Sequence, residues 1–384
     1  MIFYSNQNDL LENLSIVEKG IPTKTSMQIL NGIFMEANKE TLTFCSNNLE
    51  MGITAGLEKV KVEEEGKVIL PAKFIDILKQ LPDKELEIKM NEEDLRVEIK
   101  SGKAHFFLYG MSAEEFPHIT EEEEWQNWDS LVFTADKLKE LLTKVTFAVS
   151  QDEGKPTFKG VLMEFDSDNK LVVIASDTFR LAKVERKFED FKNTGSFRLL
   201  VPGKTFAEIS KILDSSSKQV KCYFNDNEIV MVYKNYIFSS RLLENKFPDL
   251  SGVFPSKFET RIKVNKDLLE KMLQRAVLLA QGFNQMVSLS IKNNLLGVKA
   301  GSEIGRMDEE LQVEEQEGKE LEEILLNARY LLEAFRVIED KTIELEFNGS
   351  LGPCILKTTK ENKGDALDYK YLVLPIKIEK KENY

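Results

Sequence analysis

"VILPAKFIDILKQLPD" at 68–83 and "LLVPGKTFAEISKILD" at 199–214 are two copies of one pattern. Each is an apolar strand ending that turns at a proline into a helix with apolar residues three and four apart. Pro71 and Pro202 are expected at the first helical position, where the missing N–H costs nothing. A third copy, "ILLNARYLLEAFRVIED" at 324–340, carries Asn327 there, a residue suited to capping a helix. The interval from Pro71 to Pro202 equals that from Pro117 in "EEFPHI" to Pro248 in "NKFPDL". A third marker pairs "NGIFMEANKETLTFCSNNLEMGI" (31–53) with "KGVLMEFDSDNKLVVIASDTFRLA" (159–182). The chain is therefore a threefold repeat.

An earlier amphipathic helix opens each copy: "NDLLENLSIVEKG", "TADKLKELLTKVTFAVS" and "NKDLLEKMLQRAVLLAQ". Between helices lie alternating runs such as "QVKCYFNDNEIVMVYKNYIFSSRLL", which read as antiparallel meanders. The fold class is α+β, with three similar domains, each of two helices packed on antiparallel sheets. Their expected bounds are 1–127, 128–254 and 255–384.

At 384 residues, 42% hydrophobic and 30% charged, the composition is that of a soluble globular protein. No apolar run approaches the ~18 residues that cross a membrane. The N-terminus lacks a signal-peptide pattern, and Cys45, Cys222 and Cys354 are scattered. A cytoplasmic location with incidental thiols is expected. The formal net charge of −13 opposes nucleic acid only if it is evenly spread. The runs "TEEEEW" (120–125) and "MDEELQVEEQEGKELEE" (307–323) show that it is not.

Catalysis finds little to stand on. His105 and His118 are the only histidines, neither beside a plausible nucleophile, and no phosphate-loop, GxSxG or HExxH motif is present. The consecutive acids read as solvated faces, so no metal or cofactor is expected. In "ASDTFRLA" two readings compete. Asp177 and Arg180 are an acid and an electrophilic clamp, or Asp177 caps its own turn and the segment shapes a recognition surface. The first repeat has "CSNNLEMG" at that place, which favours recognition.

Those residues carry a family resemblance. "ASDTFRLA" resembles the [TS]-D-x-[aromatic or His]-R-L-A signature of the bacterial DNA polymerase III beta subunit, or sliding clamp. "YKYLVLPIKI" is similar to that family's closing strand, and "KFPDL", "GVFP", "LPAKFIDILKQLP", "SNNLEMGI" and "GSEIGRMDEEL" follow the family's order. The resemblance covers nearly the whole chain. It implies a homodimeric ring that encircles double-stranded DNA without sequence specificity and has no catalytic activity. By the same resemblance it tethers the DNA polymerase III alpha subunit, the clamp loader, and other polymerases and repair proteins through short linear peptides.

The resemblance implies a peptide groove at Phe158, Ser176, Thr178, Phe179, Arg180, Leu181, Pro248, Val253, Val373, Leu374, Pro375 and Ile376. Apolar side chains would receive a partner's apolar pair, and Ser176 and Arg180 would fix its orientation. Val373 and Leu374 read equally well as core residues of a last strand. Basic residues recur on the second helices: Lys73 and Lys79, Lys204 and Lys211, Arg329 and Arg336. Six or seven residues is about two turns, so each pair shares a face. With Lys137, Lys144, Lys271, Arg275 and Lys24 they are the expected DNA-facing cations, making salt-sensitive phosphate contacts. By analogy, Ile77, Leu81, Phe106 and Leu108 meet Leu278 and Leu279 of a second copy.

Three features depart from the family pattern: Gly252 stands where some relatives have a basic residue, Lys377 replaces an arginine, and "EKKENY" extends the C-terminus. Two rivals remain, a ring-less paralogue and a metal hydrolase using Asp177. The apolar residues at Phe106, Leu108, Leu278 and Leu279 speak against the first, and the scarcity of histidine against the second.

Overall fold

The computed structural model describes residues 1–82, 84–117, 122–166, 168–188, 195–244, 246–250, 252–280, 285–358 and 367–377. His118, the start of the first acidic run, and the tail from Ile378 lie outside the described residues.

Each repeat opens with a short strand that the sequence reading did not anticipate: Ile2–Asn6, Asp129–Thr134 and Thr260–Asn265. The helices Gln7–Val17, Ala135–Thr146 and Lys266–Leu279 follow directly. Asn6 and Asn265 cap the first and last of these by accepting bonds from the Asn8 and Leu268 N–H groups. The first helix buries Leu10, Asn13, Leu14 and Val17, a stripe at the three-and-four spacing. The second helices are Lys73–Lys79, Gly203–Ile212 and Ala328–Phe335, and Asn327 caps the third through Arg329 N–H at 3.0 Å.

The prolines are a correction. Pro71 and Pro202 close the strands Gly66–Pro71 and Phe197–Pro202, opposite Gly32 and Gly160, and each helix starts after them. A residue without an N–H ends a ladder as readily as it begins a helix.

Two compact units divide the chain: Met1–Lys139 with Glu208–Leu243, and Glu140–Ala207 with Glu244–Tyr384. The first unit holds a five-stranded and an eight-stranded sheet, and the second a nine-stranded and a four-stranded one. Two repeats share a sheet in each unit. In the first unit Met51–Glu58 pairs antiparallel with Tyr236–Arg241, and in the second Arg180–Lys187 pairs antiparallel with Asp368–Val373. The repeats are the units of sequence, but strand pairing crosses their borders.

Cys45, Cys222 and Cys354 are buried within these sheets. Burial pushes the Cys45 thiol up to about 12 and raises the other two as well. Since the thiolate is the reactive form, none of the three should react with a disulfide reagent at neutral pH, and all three should react in denaturant. Rapid labelling of the native protein would contradict this packing. Among the described residues no helix is long and apolar enough to cross a membrane.

Candidate functional site

The turn between strands Lys170–Ser176 and Arg180–Lys187 is built by its own polar side chains. Asp177 Oδ1 accepts the Phe179 and Arg180 N–H groups at 2.9 and 3.0 Å, an Asx turn. Ser176 Oγ donates to the Arg180 carbonyl at 2.7 Å and accepts Thr178 N–H at 3.1 Å. Thr178 sits at φ 80°, a conformation that a β-branched residue rarely takes and that the turn's bonds enforce. The result pushes Phe179 outward, 55% exposed. Lys155, which sequence reasoning missed, donates to Thr178 Oγ1 at 2.7 Å and lies 4.7 Å over the Phe179 ring. Leu374, 42% exposed, joins the same rim, its N–H bonded to the Phe179 carbonyl at 2.9 Å.

Arg180 does not face solvent. It is 8% exposed, with Nε on Asp177 Oδ2 at 2.9 Å, Nη1 on Glu333, and Nη2 on the Phe147 carbonyl at 2.9 Å. The guanidinium lies 4.4 Å over the Tyr330 ring. Burial works against its charge, but Tyr371, Glu333 and Asp177 outweigh that and hold its pKa above the ordinary arginine value. Arg180 therefore pins helix Ala328–Phe335, which carries Tyr330 and Glu333, to the turn. Ser176 is likewise buried and bonded internally. Neither side chain offers its polar group to a ligand, which revises the orienting role expected for them. With its carboxylate capping the turn and paired to Arg180, Asp177 is also occupied structurally.

Two of the groove aliphatics are core. Val373 is fully buried opposite Arg180, and Leu181 is buried beside it, so the core reading of Val373 holds and that of Leu374 does not. Phe158, Pro375 and Ile376 are half-buried, while Thr178, Pro248 and Val253 are exposed. Phe158 packs edge-on against Phe247 at 5.6 Å, beside Pro248. A side chain added at Gly252 would meet nothing within 4 Å.

Among the basic residues, Lys24, Lys73, Lys79, Lys204, Lys211, Lys271, Arg275, Arg329 and Arg336 are exposed and Lys137 is half-buried. Several are lightly paired, such as Lys73 with Asp76 and Lys211 with Glu208, contacts that a phosphate can displace at little cost. Lys144 is a correction. At 8% exposed, its Nζ donates to the Val337 carbonyl at 3.1 Å and lies over the Tyr369 ring, so it cannot reach a phosphate. Spacing put it on a helix face without revealing that the face is covered.

Of the interface residues, Leu81 is also a correction, because it is buried in its own unit. Ile77, Leu108 and Leu279 are half-buried; Phe106 is 37% and Leu278 77% exposed. Phe106 and Leu108 stand opposite the buried Ile99 and Val97, on the core side of strand Ala104–Tyr109 at the open end of the five-stranded sheet.

Residues 1–120 match the DNA polymerase III beta subunit N-terminal domain, 133–249 its central domain and 251–377 its C-terminal domain. The beta sliding clamp of Staphylococcus epidermidis is 32% identical over 387 aligned positions, covering 98% of this chain and 99% of that one. The Bacillus subtilis beta sliding clamp is 32% identical over 94% of this chain and 97% of its own. The crystal structure of the DNA polymerase sliding clamp from Bacillus subtilis superimposes with a TM-score of 0.91 at 30% identity, covering 99% and 100% of the two chains.

Proposed function

This chain belongs to the DNA polymerase III beta subunit family, the beta sliding clamps, and from that membership we propose that two copies close head to tail into a ring around duplex DNA. One observation carries the closure. Each repeat has a closing strand, Ala104–Tyr109, Tyr236–Arg241 or Asp368–Val373, and a matching inner strand, Met51–Glu58, Arg180–Lys187 or Gly305–Gln312. Two closing strands find the inner strand of the preceding repeat within the chain. The remaining pair, Ala104–Tyr109 and Gly305–Gln312, are both terminal in their sheets. Unpaired edges of this kind invite pairing with another chain. A second copy that supplies the missing junction satisfies both edges, covers Phe106 and Leu278, and by symmetry makes two such junctions.

The repeats serve as domains 1–127, 128–254 and 255–384 in this reading. Phosphate contacts come from Lys24, Lys73, Lys79, Lys137, Lys204, Lys211, Lys271, Arg275, Arg329 and Arg336. Such contacts are indifferent to base sequence and weak enough to slide. The exposed Phe179 and Leu374, with Thr178, Pro248, Val253 and half-buried Phe158, Pro375 and Ile376, receive apolar side chains of linear peptides from the polymerase, the clamp loader and repair proteins. Arg180 and Ser176 hold that rim in shape. The protein is a cytoplasmic processivity factor that makes and breaks no bond and needs no cofactor.

Topology tests the reading. Protein loaded on nicked circular DNA should stay with the circle in moderate salt and run off once the circle is cut. Equal retention on circular and linear DNA would refute encirclement.

A further inference from the structure

We propose that the first unit carries a second peptide-binding pocket, the repeat counterpart of the Phe179–Leu374 rim, and that it takes a segment in which a basic side chain adjoins an aliphatic one. The turn 47–51 repeats the backbone-capping bonds of the turn 176–180. Asn48 Oδ1 accepts the Glu50 and Met51 N–H groups at 3.0 and 2.8 Å, as Asp177 Oδ1 accepts Phe179 and Arg180. Asn47 Oδ1 accepts Leu49 N–H as Ser176 Oγ accepts Thr178, and Leu49 takes the same unusual φ, 72° against 80°. The Arg241 N–H bonds the Glu50 carbonyl at 3.0 Å, the place of the Leu374 bond to Phe179. Pro117 stands where the other copy has Pro248.

The frame is the same, but its two outward positions have changed chemistry. Glu50 and Arg241 occupy the places of Phe179 and Leu374. Between them lies a pocket of about 260 Å³, lined also by exposed Leu49 and Glu124, half-buried Pro117 and Glu228, and buried Met51. That volume suits one or two side chains, below the usual size of a cofactor cleft of about 300–1,000 Å³. Glu50 and Glu228 against the one guanidinium of Arg241 make the pocket attractive to a cation, which gains charge-assisted hydrogen bonds there. Leu49 and Pro117 offer an apolar surface to the neighbouring aliphatic group. A purely apolar peptide would desolvate Glu50 and Glu228 without offering either a donor, so the two pockets should sort ligands by charge.

The choice of a peptide as ligand rests on the groove reading above, and the test separates the two. Fluorescence anisotropy of a labelled hexapeptide, Gly-Lys-Leu-Arg-Leu-Gly, titrated with the full-length protein should saturate below about 1 mM. The double variant E50K/E228K should weaken that binding about tenfold or more, and L374D should leave it unchanged. A labelled Gly-Leu-Phe-Gly peptide should show the reverse pattern. Absence of saturation overturns the proposal. So does equal weakening by E92K/E93K, which changes two exposed acids elsewhere in the same unit, or loss of the hexapeptide in L374D but not in E50K/E228K. If only the Gly-Leu-Phe-Gly arm fails, the first groove's reading falls and the hexapeptide result still supports this one.

Discussion

The Leu278→Lys variant should sediment as a monomer at micromolar concentration and should no longer be retained on circular DNA. Leu278 is 77% exposed at the C-terminal end of helix Lys266–Leu279, so the change removes no packing from the single chain. A cation there also meets the negative end of the helix dipole, which favours it by a few tenths of a kcal/mol. The urea midpoint of the isolated chain should therefore hold or rise slightly. In the proposed ring the same position is covered, and an ammonium without a partner would cost about 2–4 kcal/mol at each junction. Because a closed dimer has two junctions, the penalty counts twice, and dissociation should strengthen by about a thousandfold or more. Phe106→Lys tests the other side of the junction. A dimer of unchanged affinity in both variants would mean that these residues are exposed for another reason, and the open edges Ala104–Tyr109 and Gly305–Gln312 would need a different explanation.

The threefold architecture was readable because each second helix follows a strand ending with a fixed marker, Pro71, Pro202 or Asn327. Apolar spacing also found all six helices of seven or more residues among the described residues. The opening strands escaped notice because five or six residues such as "IFYSN" carry too little alternation to stand out before a helix. The joins between repeats were invisible for a deeper reason: Met51–Glu58 pairs with Tyr236–Arg241, and no local pattern names a partner so distant. The candidate site shows the same limit. Asp177 could be read as a turn cap because the Asx bond is local. The fates of Arg180, Lys144 and Val373 depend on what packs over them from a later part of the chain, and residue type alone argued for exposure in the two basic cases. Helical spacing assigns a face, whereas burial needs the element that covers it.

Arg180→Ala and Leu374→Asp should both abolish binding of an apolar partner peptide, but for different reasons that stability measurements separate. Leu374 is exposed, so an aspartate there spoils the rim and leaves unfolding unchanged. Arg180 is the buried cation between Asp177, Glu333 and the Phe147 carbonyl. Removing it strands two carboxylates and a carbonyl in a partly desolvated space, a loss of about 3–5 kcal/mol for a buried pair. Arg329 Nε remains on Glu333 at 2.9 Å, and Asp177 keeps its two backbone donors, which brings the expected loss toward the lower end. Arg180→Lys should rescue little, because one ammonium cannot span three acceptors with the geometry of a planar guanidinium. The Asx turn should survive while helix Ala328–Phe335 loses its tie to it, so hydrogen exchange should rise first around Tyr330 and Glu333. Dimer mass should stay unchanged in both variants, since neither residue lies on the open edges. Arg180→Ala with native stability and weakened peptide binding would return the guanidinium to direct ligand contact. Native stability together with native affinity would remove Arg180 from the site altogether.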